Sequence, residues 1–237
     1  MQRSTKTPLV LLPGLLTDRR LFEHQIRALA DIAEPSVADL TGADSAADLA
    51  RQVLASAPAE RFALAGLSMG GYVAFEIMRQ APARVLGLAL LDTTARPDTP
   101  EATENRHRLI KLSATDFRAV IRALLPRLLH PAHQTDSAMT DTVHAMADSV
   151  GRAAFVSQQT AIMNRLDSRP HLAQIRCPTL VLCGREDVIT PVEIHTEMAS
   201  GIPAAKLEVI EACGHLSALE RPAQVTDALR AWLETLA

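Results

Sequence analysis

Short apolar runs, too brief to be helices, recur along this chain with helix-like stretches between them. Pro8-Leu-Val-Leu-Leu12 stops at Pro13-Gly14, Phe62-Ala-Leu-Ala65 at Gly66 and Thr179-Leu-Val-Leu-Cys183 at Gly184. Val85 to Leu91 and Leu207 to Ile210 read the same way, and Pro35 to Leu40 as a further short strand. A strand with no polar face has to be covered on both sides. Strands of that kind alternating with helices specify a parallel sheet between two helical layers, joined by right-handed crossovers. The expected architecture is an open, doubly wound, mostly parallel α/β sheet of about six strands. The 237 residues suffice for one large core with a modest insertion.

The helical stretches carry their own signals. Arg20 to Ala30 has apolar residues in rough helical spacing, and Ser45 or Asp44 is placed to cap a helix running to Ala57. Met69 to Gln80 is apolar nearly all round and should be buried on most sides. Pro191 and Pro222 each stand where a helix can open without needing an N–H. Between about Arg96 and Arg169 the alternation stops and no strand-like run occurs. Phe117, Val120, Ile121, Leu124, Leu125, Leu128 and Leu129 fall at helical spacing there, with Pro126 expected to kink or end the helix. Helical patterns follow over Asp136 to Ala147 and Arg152 to Leu166. The expected organisation is a core of residues 1–95 and 170–237 with a helical cap, or lid, at 96–169.

Chemistry concentrates at the ends of the apolar runs. Gly66-Leu-Ser-Met-Gly70, with Gly71 after it, is a G-x-S-x-G sequence between a strand and a buried helix. A serine on so sharp a turn needs neighbours without side chains. Its hydroxyl then projects from the sheet edge at a helix N-terminus, where negative charge is stabilised. A serine hydroxyl is a weak nucleophile without a base, and the base needs a third group to orient it. Of eight histidines, His215 in Cys213-Gly-His215 follows the last strand and so reaches the same edge. Surface or capping roles are expected for the other seven, and the His130-x-x-His133 pair lacks a carboxylate at metal-ligand spacing. Asp187, in Gly184-Arg-Glu-Asp187, is the expected acid, with Glu186 and Asp92 as rivals by position. The order Ser68, Asp187, His215 is the one expected of a G-x-S-x-G elbow. Two amide donors should hold the oxyanion: Met69, at the start of the helix, and Leu15, after Pro13-Gly14. Leu16, Val188, Leu216 and the cap residues Phe117, Leu125 and Leu129 are the expected pocket walls. Arg118 and Arg122 flank the apolar stripe and are expected to face solvent.

Leu11-Leu-Pro-Gly-Leu15, Gly66-Leu-Ser-Met-Gly-Gly71, Gly184-Arg-Glu-Asp187, Gly214-His215 and Leu219-Glu-Arg-Pro222 together resemble the capped, cofactor-free serine esterase branch of the α/β-hydrolase superfamily. The resemblance spans nearly the whole chain and is weakest across the cap. It implies Ser68, Asp187 and His215 as catalytic triad, the Leu15 and Met69 amides as oxyanion hole, and no cofactor. It also departs from the family in two places. Pro13 stands where a histidine is common, and the family's two leading strands are not expected, because the first apolar run starts only a few residues after Met1. The implied activity is hydrolysis of a small to medium carboxylic ester, lactone or thioester. Carbon–carbon bond hydrolysis, perhydrolase chemistry and a ligand receptor that signals by cap movement remain the alternatives. Dehalogenases and epoxide hydrolases of similar fold use an aspartate where this chain has Ser68.

Composition narrows the partners. A net charge of −3 offers no basic footprint for nucleic acid, and 3% aromatic residues are too few for base-stacking platforms. Cys177, Cys183 and Cys213 are an odd count without metal-ligand spacing, consistent with free thiols in a reducing compartment. Met1 to Thr7 is polar, and no segment approaches the roughly 20 apolar residues of a membrane span. A cytoplasmic enzyme acting on a small-molecule ester is the expectation, and the oligomeric state is left open.

Overall fold

The computed structural model describes residues 6–236; residues 1–5 of the polar start read above, and residue 237, lie outside them. Six strands, β1 (Thr7–Leu12), β2 (Ala33–Val37), β3 (Phe62–Leu67), β4 (Val85–Leu91), β5 (Thr179–Gly184) and β6 (Lys206–Ile210), form one all-parallel sheet in the order β2-β1-β3-β4-β5-β6. The central strands β3 and β5 are buried at every position, as two-sided apolar runs require. The edge strand β2 lies two residues earlier than its sequence pattern suggests, because Thr7 pairs with Ala33 and Leu9 with Pro35. A proline is tolerated there since an edge strand has one side free of ladder bonds.

Nine α-helices follow in chain order: α1 (Glu23–Ala28), α2 (Ala46–Ser56), α3 (Met69–Gln80), α4 (Pro100–Ser113), α5 (Phe117–Leu128), α6 (Ser137–Met163), α7 (Val192–Gly201), α8 (Ser217–Glu220) and α9 (Pro222–Glu234) among the described residues. Ser45 caps α2 by accepting the Asp48 N–H at 3.1 Å. Two apolar clusters cover the sheet. One joins Leu9, Leu11, Leu67 and Leu91 to Leu229 and Trp232 of α9; the other joins Val10, Leu12, Leu64 and Leu90 to Leu49 of α2 and Val73 and Ile77 of α3. This doubly covered sheet is the doubly wound α/β architecture expected from the sequence.

The helices α4, α5 and α6 stand between β4 and β5. Pro126 lies inside α5, which ends two residues later. The two helical patterns at 136–147 and 152–166 are one long α6 broken at Gly151, whose φ of 77° no ordinary helical residue adopts. No helix among the described residues is long and apolar enough to cross a membrane.

Candidate active site

Ser68 sits between β3 and α3 with φ 55° and ψ −116°. A non-glycine residue in such a conformation stores on the order of 1–3 kcal/mol, held by its surroundings. The restraints are visible. The Ser68 N–H donates to Leu91 O at 2.9 Å, and Thr93 Oγ1 donates to Ser68 O at 2.7 Å. The flanking glycines are required by close approach: a Cβ on Gly66 would lie 2.5 Å from Gly70 O, and one on Gly70 2.1 Å from Leu12 O.

From this turn the Ser68 hydroxyl reaches His215, whose Nε2 lies 2.8 Å from Oγ. His215 Nδ1 lies 2.8 Å from Asp187 Oδ2. Asp187 is itself fixed: Oδ1 accepts the Ile189 and Thr190 N–H groups at 2.8 and 3.0 Å, and Thr190 Oγ1 donates to Oδ2 at 2.6 Å. Thr190 had no assigned role in the sequence. Its signal is the Asp187-Val-Ile-Thr-Pro191 spacing, an aspartate-led turn ahead of a proline-opened helix.

Burial drives the electrostatics here. It pushes the Asp187 carboxyl up, but the His215 imidazole and the hydrogen bonds from His215 and Thr190 outweigh it, so the carboxyl sits below its ordinary value. Burial pushes His215 down, and Asp187 beside it more than reverses this, so the imidazole titrates above 6.5. Neither rival acid contacts His215. Glu186 Oε2 accepts the Cys213 N–H at 2.9 Å. Asp92 accepts the Gly184 N–H at 2.9 Å and meets the Ser217 hydroxyl. Fully buried and repelled by Asp187, Asp92 is pushed up to about 8.

The loop after β1 passes in front of the serine. A Cβ on Gly14 would lie 3.4 Å from Ser68 Cβ. Neither the Leu15 nor the Met69 amide donates to a protein acceptor among the described residues. The next residue, Leu16, has φ 57°, and its N–H donates to Gln158 Oε1 at 3.1 Å. Gln158 is 1% exposed and its Nε2 also donates to Leu40 O at 3.2 Å, so α6 holds the loop in place.

A cavity of about 500 Å³ opens at Ser68 and His215, a size suited to a small organic ligand. Leu15, Leu16 and Leu216 line it. The structure corrects the remaining wall residues. Val188 is 63% exposed and lies outside, because the turn closed by Asp187 directs it to solvent while Ile189 and Thr190 face inward. From α5, Ile121, Leu124 and Leu128 line the cavity; Phe117, Leu125 and Leu129 do not. Phe117 packs on Phe155, with ring centroids 5.8 Å apart, and Leu125 and Leu129 pack into the adjoining apolar cluster. The far wall is polar, with Asp98, Arg106, Gln159 and Arg165. Arg118 and Arg122 instead pair at the surface with Asp148 and Asp116.

Two more buried groups back the site. Against the surface or capping role expected from the sequence, His195 is fully buried and held down to about 4 by burial. Its Nε2 accepts the Thr93 N–H at 3.0 Å, so Nδ1 carries the proton toward Pro191 O. Glu220 accepts the Gly214 N–H at 2.9 Å, the His130 N–H at 2.7 Å and meets His133 Nδ1 at 2.7 Å. It thereby ties the His215 loop to the end of α5. No three His, Cys, Asp or Glu side chains among the described residues converge as a metal site.

Comparison with known proteins bears on the fold that carries this site. Residues 7–222 match the family described as alpha/beta hydrolase fold. The chain is 30% identical, over 88% of its length and 84% of the relative's, to an Azorhizobium caulinodans protein named for a carbamate hydrolase activity, RutD. It is 27% identical to the pimeloyl-[acyl-carrier protein] methyl ester esterase of Nitrosomonas europaea, over 91% of each chain. The malate-bound structure of a thermophilic esterase from Thermogutta terrifontis superposes with a TM-score of 0.89 at 31% identity, covering 98% of this chain and 91% of that one.

Proposed function

Since the chain belongs to the alpha/beta hydrolase fold family and is a hydrolase, we propose that it cleaves a small-molecule carboxylic ester through an acyl-enzyme on Ser68. The observation that carries this reading is the unbroken line from Ser68 Oγ through His215 to Asp187, each link 2.8 Å long. Asp187 accepts the Nδ1 proton, which leaves Nε2 as the base facing the hydroxyl. Ser68 Oγ attacks the ester carbonyl as its proton passes to Nε2. The negative oxygen accepts the Leu15 and Met69 N–H groups. The intermediate collapses, the carbon–oxygen bond to the alcohol breaks, and His215 returns the proton to the departing alkoxide. Water then attacks the acyl-enzyme with His215 as base, releasing the acid and restoring Ser68. The helices α4 to α6 act as a cap that keeps bulk water from the reacting centre.

A carbamate carbonyl offers the same point of attack, and the relative named for that activity favours it as the second reading. Turnover of 4-nitrophenyl acetate against a 4-nitrophenyl carbamate separates the two. Ser68→Ala should reduce either activity by roughly 10³-fold or more. Activity within about tenfold of the parent would contradict the assignment of the nucleophile.

A further inference from the structure

The polar wall of the cavity contains a buried donor that the protein itself does not satisfy. Gln159, on α6, is fully buried and lines the cavity. Its Oε1 accepts from Arg106 Nη1 at 2.8 Å. A guanidinium can only donate, so the amide orientation is fixed with the oxygen toward Arg106. The Gln159 Nε2 group is left with no acceptor in the protein. A buried amide donor without a partner is costly and calls for an explanation at the site.

The surroundings orient the guanidinium that this amide accepts from. Arg106 Nε donates to Asp98 Oδ2 at 3.0 Å, and Arg165 Nη1 to Asp98 Oδ1 at 2.7 Å. Thr103 Oγ1 adds a third side-chain donor to the same carboxylate at 3.1 Å. Asp98 is thus occupied in orienting two guanidiniums, and Arg165 stacks 4.4 Å above the Tyr72 ring, one turn along α3 from Ser68. One carboxylate between two guanidiniums leaves this wall cationic, which favours an oxygen acceptor over a donor or a cation.

We infer that the Gln159 amide is a second recognition point, binding a carbonyl or carboxylate oxygen of the substrate other than the one attacked by Ser68. This rests on the ester-hydrolase reading and makes it more specific: the preferred substrate carries an oxygen-bearing end as well as the scissile ester. The apolar walls from Ile121, Leu124 and Leu128 accommodate the chain that joins the two ends.

The test uses methyl esters of matched chains ending in a carboxylate, a carboxamide or a methyl group, at several chain lengths. Active-site concentration is fixed by titration with a fluorophosphonate. At the fitting length the parent should favour the oxygen-ended chains over the methyl-ended chain by about tenfold in kcat/KM. Gln159→Leu should collapse that ratio for both oxygen-ended chains. Gln159→Glu keeps an acceptor for Arg106 while removing the donor, so it should collapse the ratio most for the carboxylate even where the leucine variant folds poorly. A parent without preference at any length, or a ratio unmoved in both variants while Ser68 still titrates, overturns the subsite alone. A chain that neither titrates nor turns over any ester overturns the ester-hydrolase reading and the subsite with it.

Discussion

Asp92 and Asp187 are close enough to repel each other, and the fold gives them different states. Asp187 is surrounded by donors and held low, whereas buried Asp92 is pushed up to about 8 and is largely protonated at neutral pH. Asp187→Asn should therefore cost on the order of 10⁴-fold in kcat by leaving His215 in the wrong tautomer. Asp92→Asn replaces a mostly neutral group by a neutral one. It keeps an oxygen for Gly184 N–H and should cost less than about tenfold. Measuring kcat for both variants decides it, and the reverse order would move the acid to Asp92. The same charges set the pH dependence. Attack needs a neutral His215, whose titration lies above 6.5. The rate kcat/KM should fall as pH drops through that raised value, so the acid limb lies above pH 6.5. Asp187→Asn removes the main cause of the rise and should move the limb to lower pH. A parent limb well below 6.5 would show that Asp187 does not support the imidazolium.

The elements that carry the site differ in how plainly their residues announce them. Strands β3 and β5 were legible because both faces are apolar, and α3 because Ser68 and Gly66 mark where β3 turns into it. The edge strand β2 was displaced by two residues, since a half-exposed strand has no two-sided apolar signal and Pro35 resembles a boundary. On α5 the apolar stripe was wide enough to leave its cavity face ambiguous. Ile121, Leu124 and Leu128 recur at helical spacing on the lining face, whereas Leu125 and Leu129 belong to the neighbouring stripe. The glutamines of α6 were not legible at all, because a polar helical residue ordinarily faces water and gives no sign of burial. Gln158 is the clearest case. It couples α6 to the loop bearing Leu15 through the Leu16 N–H. If the loop serves the developing oxyanion as proposed, Gln158→Leu should lower kcat by roughly 10- to 100-fold with little change in KM. Thermal unfolding run beside the kinetics separates this from lost folding. An unchanged kcat would mean the loop holds its shape without α6.

Taken as one object, the molecule is a doubly wound sheet whose C-terminal edge carries Ser68, Asp187 and His215, with α4, α5 and α6 enclosing the space above. The His215 loop is tied to this insertion: the His215 and Leu216 N–H groups both donate to Leu128 O, at 3.0 and 3.2 Å. If the insertion works as a cap, enlarging its inner face should change which chains fit. Leu124→Ala, on the lining face, should shift the ratio of long- to short-chain ester turnover toward longer acyl groups by roughly tenfold, the lower end of what one methylene is worth in an apolar pocket. Leu125→Ala, on the neighbouring stripe, should leave that ratio near the parent's while lowering stability. Equal effects from both would mean that α5 acts through packing and not as a wall. All of these expectations depend on Ser68 being the atom that forms the covalent bond. Treating the protein with a fluorophosphonate and locating the adduct by peptide mass spectrometry measures that bond. One adduct per chain on Ser68, formed far more slowly in Asp187→Asn but not in Asp92→Asn, is the expected result; no adduct, or one on another residue, would contradict it.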